Sequence, residues 1–152
     1  MTKGEIAKQY FLKGYNCTQA VMLAFYNDLG IDEQTALMIP SPFGGGIGRM
    51  REVCGALSGT YMVLGLKRGY NEPNNTQGKT RLYKEVQELA AKFKEDNGSI
   101  ICRELLKLRI KGKDSPAPSE RTDNYYKNRP CPELCRYAAD LIDEFLKSKE
   151  TE

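Results

Sequence analysis

The chain contains no histidine and no tryptophan in 152 residues. Without imidazole there is no Cys–His nucleophile pair, no Ser–His–Asp triad and no histidine metal ligand. Haem attachment through C-x-x-C-H is excluded as well. No apolar run approaches the ~18 residues that read as a membrane span, so a membrane is not an expected partner. The net charge is only +3, which gives no electrostatic case for nucleic acid. The start Met1-Thr2-Lys3-Gly4-Glu5 lacks an apolar segment of signal-peptide type. The expected compartment is the cytoplasm, where thiols stay mostly reduced. Site chemistry must then run on cysteine, tyrosine, arginine, lysine or carboxylates.

What is present reads as helix. Thr2 with Glu5 forms a capping-box pattern for a helix ending at Gly14. Asn16 suits the cap of a second helix, Cys17 to Leu29, with Ala20, Val21, Leu23, Ala24 and Leu29 on its apolar face and Gly30 as a stop. Asp32 suits the cap of a short helix through Met38, closed by Pro40 and Pro42. A flexible glycine loop, Phe43 to Gly48, leads into a helix from about Glu52 to Lys67. Gly55, Gly59 and Gly65 lie in that helix, where each glycine costs about 1 kcal/mol relative to alanine. Their use predicts close approach of another backbone, with Gly55 and Gly59 on one face. Further helices are predicted over Thr80 to Glu95, after Ser99 with Cys102 near its start, and from Pro132 to Lys147. The polar segment Gly112 to Arg129 reads as a long surface loop or flap. No strand pattern, repeat or domain boundary appears. The expected fold is an all-α, compact single-domain bundle of six or seven helices over residues 1–152.

Five cysteines stand in this frame: Cys17, Cys54, Cys102, Cys131 and Cys135. Cys17, Cys54 and Cys131 fall at predicted helix starts, and Cys102 lies within a turn of one. Amides at a helix start favour negative charge and hence the thiolate, the form that attacks disulfides or binds metals. Cys131 and Cys135, four apart on one helix, have Cβ atoms about 5–6 Å apart, too far for an easy mutual disulfide. Cysteine also fills cores, and each of the five could simply do that. The glycine loop fails both G-x-G-x-x-G and G-x-x-x-x-G-K-[ST]. Gly46, Gly48 and Arg49, with Arg51, remain a candidate site for a small anion or an anionic thiol. Tyr15 and Tyr61 are candidate pocket walls, with core packing the expected role.

The run Cys54-Gly55-Ala56-Leu57-Ser58-Gly59 resembles the signature of a bacterial and archaeal family of small proteins named for the pattern C_GCAxxG_C_C. Asn16-Cys17 before Gln19-Ala20-Val21, the Gly-Gly-Gly-x-Gly loop, Gly65 after Val63-Leu64, and Cys102 before Glu104-Leu105-Leu106 extend the resemblance over about residues 5–146. It implies a redox role without naming a substrate. Its four signature cysteines fall on Cys17, Cys54, Cys102 and either Cys131 or Cys135. Pro132 favours Cys131, which leaves Cys135 extra. A related helical domain in multihaem cytochromes holds an iron–sulfur cluster, and only the cluster idea could transfer to a chain without a haem motif.

Three readings follow. The first is a redox protein, possible as a thiol–disulfide oxidoreductase, in which Cys54 and Cys17 react and Cys102 or Cys131 resolves. The second is a zinc or iron–sulfur site drawn from Cys17, Cys54, Cys102, Cys131 and Cys135. The third is a structural or partner-binding helical domain. The expected partners are a redox protein or a small thiol or disulfide, with a homodimer left open.

Overall fold

Short polar residues start most of the long helices by supplying an acceptor to amides that lack a partner. Thr2 and Glu5 form a complete capping box on α1 (Lys3–Leu12), and Asn16 with Gln19 forms another on α2 (Cys17–Leu29). Asp32 accepts from Thr35 N at 2.6 Å at the head of α3 (Glu33–Met38). A 3-10 turn (Ser41–Phe43) and the single helical turn α4 (Gly44–Ile47) lead to α5 (Gly55–Arg68), followed by α6 (Thr76–Asn97). The single turn α7 (Cys102–Leu105), α8 (Asp123–Asn128) and α9 (Cys131–Glu150) complete the chain. This computed structural model describes residues 1–151; position 152 of the expected 1–152 domain lies outside the described residues. The architecture is the expected all-α bundle, with seven helices longer than a single turn.

The helix α5 sits between α2 and α9, and α1 closes the group against α2 and α9. The crossing of α2 over α5 depends on two glycines. A Cβ on Gly55 would collide with the Cys17 sulfur and lie 2.6 Å from Thr18 Oγ1. One on Gly59 would stand 2.8 Å from Val21 Cβ. The predicted close approach is therefore real at both positions, and it brings the start of α2 against the start of α5. Gly65 departs from that expectation, since nothing lies within 4 Å of the place its Cβ would take. Thr60 Oγ1, fully buried in α5, donates within 3.2 Å of the carbonyls of Ala56 and Ala138, tying α5 to α9. Phe93, Leu89, Leu57, Leu64, Met22 and Ile142 fill the interior.

Several boundaries differ from the sequence expectation. Cys54 is the N-cap of α5 and not inside its first turn. The cause is a short antiparallel pairing of the preceding residues. Cys54 N donates to Ile100 O at 2.8 Å, Cys102 N donates to Glu52 O at 2.6 Å, and Val53 bridges Ile101. The helix α6 begins at Thr76, ahead of Thr80, because Asn75 accepts from Gly78 N at 2.8 Å. The last helix opens at Cys131 with Pro130 as its cap, so Pro132 is the second helical residue. Ser99 does not cap α7; its Oγ donates to Glu104 and accepts from Ile101 N at 3.0 Å. The segment read as a loop over 112–129 carries α8, capped by Thr122.

Candidate functional site

The glycine loop is largely left-handed backbone. Gly45, Gly46 and Gly48 have positive φ, and so do Ile47 (66°), Arg49 (65°) and Arg51 (61°). Glycine adopts this region freely, whereas other residues in sparsely populated backbone regions cost of order 1–3 kcal/mol each. Such strain persists only where the surroundings hold it. Here Met50 N donates to Ile47 O at 3.0 Å, and Glu52 N donates to Gly46 O at 2.9 Å. Gly46 is also required sterically, because a Cβ there would lie 2.5 Å from Cys102 Cβ. The glycine loop thus packs directly against Cys102.

The left-handed turns aim two arginines into the protein. Arg51 is only 4% exposed. It donates to Asp114 through Nε at 3.1 Å and Nη2 at 3.0 Å, and its Nη1 reaches Cys102 Sγ at 3.6 Å. Burial works against this guanidinium's charge, but the Cys102 sulfur and the Asp114 carboxylate more than restore it, so its pKa lies above the usual arginine value. Arg49 donates to the same Asp114 oxygen at 3.3 Å, to Ser119 Oγ and to Ser115 O. Both arginines therefore anchor the 112–129 segment. Its far end is held by Arg121, which donates to Phe11 O and, at 2.8 Å, to Tyr15 O. The Arg121 guanidinium lies 4.1 Å from the Phe11 ring centroid and 5.8 Å from that of Tyr125.

Beneath this flap lies a cavity of about 290 Å³. Cys17, Cys54, Cys102 and Cys131 all line it, together with Arg49, Arg51, Arg121 and Arg129. Cys135 does not. Its thiol points into the bundle, 3.9 Å from Cys17 O. All five cysteines are free thiols. Gly46 lines the cavity beside Arg49, while Gly48 lies outside it as the left-handed cap of α4. Tyr15 and Tyr61 are not among the wall residues; Tyr125 is.

Burial dominates the electrostatics of the thiols. It pushes Cys54 and Cys135 well above the ordinary thiol value, and Cys131 up to about 12, with neighbouring cysteines adding to each shift. Cys17 is also raised, by burial first, against the lowering effect of the Gly45 amide. The amides of Leu57 and Ala56 at the start of α5 do favour the Cys54 thiolate, as its helix-end position predicts, but desolvation is larger. Tyr61 is raised to about 12, by burial and then by Cys54. Thr18 Oγ1, fully buried next to Cys17, has no nitrogen or oxygen hydrogen-bond partner among the described residues, and its side chain works to lower the Cys17 pKa.

A sulfur-only donor set suits zinc or an iron–sulfur cluster in kind. In arrangement it does not fit. Among the described residues, no three side chains of the ligating types are gathered closely enough to hold a metal ion.

The sequence reading missed Asp114, Arg121, Tyr125 and Arg129 as parts of the site. Asp114 stands among lysines and gives no local signal. The spacing Arg121, Tyr125, Arg129 was a usable one, because it puts basic and aromatic groups one turn apart on a segment already recognised as a flap.

Among the described residues, no helix is long and apolar enough to cross a membrane. No curated protein and no solved structure matches the chain. A family profile described as "Putative redox-active protein (C_GCAxxG_C_C)" matches residues 15–145. That span holds all five cysteines, the left-handed loop and the flap, so the chain belongs to the C_GCAxxG_C_C family of redox-active proteins.

Proposed function

We propose that the protein exchanges disulfides with a small or protein-borne disulfide, starting from Cys102. The observation that carries this reading is the buried Arg51 guanidinium 3.6 Å from Cys102 Sγ. A guanidinium N–H aimed at a sulfur steadies negative charge on it during exchange, in which a thiolate is the attacking species. Asp114 and the left-handed backbone hold that guanidinium in place, so the cation is preorganised. This assignment differs from the sequence expectation, which put Cys54 and Cys17 first. Both of those thiols are raised by burial.

The chemistry balances as follows. The Cys102 thiolate attacks one sulfur of the substrate disulfide, forming a mixed disulfide and releasing half of the substrate as a thiolate. The Cys17 thiol then attacks the Cys102 sulfur. Its proton leaves with the second half of the substrate, now a thiol. Two electrons pass from the chain to the substrate, and a Cys17–Cys102 disulfide remains for an external dithiol to reduce. Cys17 is the chosen partner because its thiol lines the same cavity, at the start of α2.

The test is oxidation by 2-hydroxyethyl disulfide followed by peptide mapping. We expect a Cys17–Cys102 linkage in the wild type and a rate at least tenfold lower in Cys102→Ser, with helical circular dichroism unchanged. A rate unchanged in Cys102→Ser but lost in Cys54→Ser would overturn the assignment.

A further inference from the structure

The cavity wall is strongly one-sided in charge. Four guanidiniums line it, those of Arg49, Arg51, Arg121 and Arg129, and no aspartate or glutamate does. The nearby Asp114 serves Arg49 and Arg51 together. Arg121 and Arg129 have no ion-pair partner among the described residues. The hydrogen bonds of Arg121 go to the backbone carbonyls of Phe11 and Tyr15, which leave its charge uncompensated. The Arg129 side chain makes no hydrogen bond among the described residues. Its guanidinium carbon lies 5.4 Å from the centroid of the Tyr125 ring.

We infer that the cavity recognises an anionic ligand, and that the disulfide it takes is a small one bearing carboxylate groups, held by Arg129 with Arg121 behind it. An arginine with open donors binds a carboxylate through two parallel hydrogen bonds. The low polarity of the surrounding rings, Phe11 and Tyr125, strengthens that attraction relative to water. Arg129 stands two residues before Cys131 and on the same cavity wall, so a carboxylate on Arg129 leaves the rest of the ligand within the ring of sulfurs. A volume of about 290 Å³ lies at the small end of ligand pockets, which suits a short disulfide and not a protein loop. Sequence reasoning placed a possible anion at Gly46, Gly48 and Arg49. Arg49 is instead engaged by the flap, and the available cations are the two that the flap itself contributes.

The inference rests on the thiol–disulfide reading for its chemistry but not for its charge preference, and two measurements separate them. The first compares oxidation of the cavity thiols by 3,3′-dithiodipropionate, 2-hydroxyethyl disulfide and cystamine. These are similar in length and differ in charge. Each rate is normalised to that of dithiothreitol with the same compound. We expect the dianion to outpace the dication by about tenfold or more, in the range typical of charge-focusing clefts, and the preference to collapse in Arg129→Gln. The second measures binding of the unreactive shape analogues suberate and 1,6-diaminohexane by calorimetry. Suberate should bind and lose most of its affinity in Arg129→Gln, whereas the diamine should not bind. Equal normalised rates for dianion and dication, with no suberate binding, would overturn the anion site while leaving disulfide exchange intact. Suberate binding with all three disulfides inert would keep the anion site and overturn disulfide exchange.

Discussion

The two ends of α5 each carry an arginine–carboxylate pair, and the pairs are built in opposite ways. At the C-terminal end Arg68 directs its Nε to both oxygens of Glu85 at 2.9 and 3.0 Å. There the carboxylate is the buried member, at 4% side-chain exposure against 23% for the arginine. At the N-terminal end the arginine is buried, Arg51 at 5%, and its partner Asp114 is the more open, at 26%. A buried carboxylate must be matched or it destabilises the fold. A buried guanidinium matched by a carboxylate still has donors to spare, and Arg51 spends one on the Cys102 sulfur. The first pair secures the helix. The second presents a positive charge to the Cys102 sulfur.

Breaking the first pair should have the largest effect on stability. Arg68→Met strands Glu85 inside the protein and should cost about 3–5 kcal/mol, the range for removing one partner of a buried pair. Denaturant unfolding measures it, and the order in which cysteines react with iodoacetamide should stay as in the wild type. A change in that order would mean the two ends are coupled through α5.

Overfilling the crossing between α2 and α5 comes next. Gly59→Val puts a side chain against Val21 and should cost about 1–3 kcal/mol, as overpacked cores do. Stability that is unchanged by urea unfolding would show that α2 can slide along α5, and that the position of Cys17 is not fixed by this contact.

The smallest effect on stability belongs to the second pair. Arg51 holds the Asp114 carboxyl below its ordinary pKa, with help from the Ser115 amide and Arg49. A carboxylate whose pKa is lower folded than unfolded contributes fully above the ordinary range, and the contribution disappears as the pH falls through the lowered value. Acidification below the usual carboxylate range should therefore loosen the flap. Asp114→Asn should remove most of that pH dependence with the smallest change in overall stability of the three. Proteolysis within residues 112–129, followed against pH, reads the release. Equal cleavage of wild type and Asp114→Asn at every pH would show that the flap is held by contacts other than the Asp114 carboxylate, those of Arg49 and Arg121.

The long helices were legible because capping and periodicity agree in them. Asn16, Asp32 and Gly30 mark their ends unambiguously, and the stripe Leu134, Ala138, Ile142 is the one that packs. The meeting of Cys17, Cys54, Cys102 and Cys131 at one cavity was suggested by the family pattern and by their helix-start positions. Their electrostatics were not legible in the same way. Helix-start amides are a local feature that a sequence reveals, whereas desolvation depends on what covers the sulfur, and α2, α5 and the flap come from distant parts of the chain. Arg51 illustrates the same limit. Only the left-handed backbone at 45–51 turns its side chain inward, and a run of glycines cannot announce that the arginines beyond it share the conformation. Asp114 meets Arg51 across 63 residues, beyond any local pattern.

One docking contact bears on how small this molecule can be made. Phe11 forms part of the cavity wall, and its carbonyl receives Arg121 from the flap. It belongs to α1, ahead of the segment 15–145 that the family profile covers. A fragment trimmed to the shared segment would keep every cysteine and still lose the ring and the carbonyl on which the flap is latched. The first twelve residues of helix and cap therefore act as a doorpost, and without them the cavity that the sulfurs line would stand open on that side.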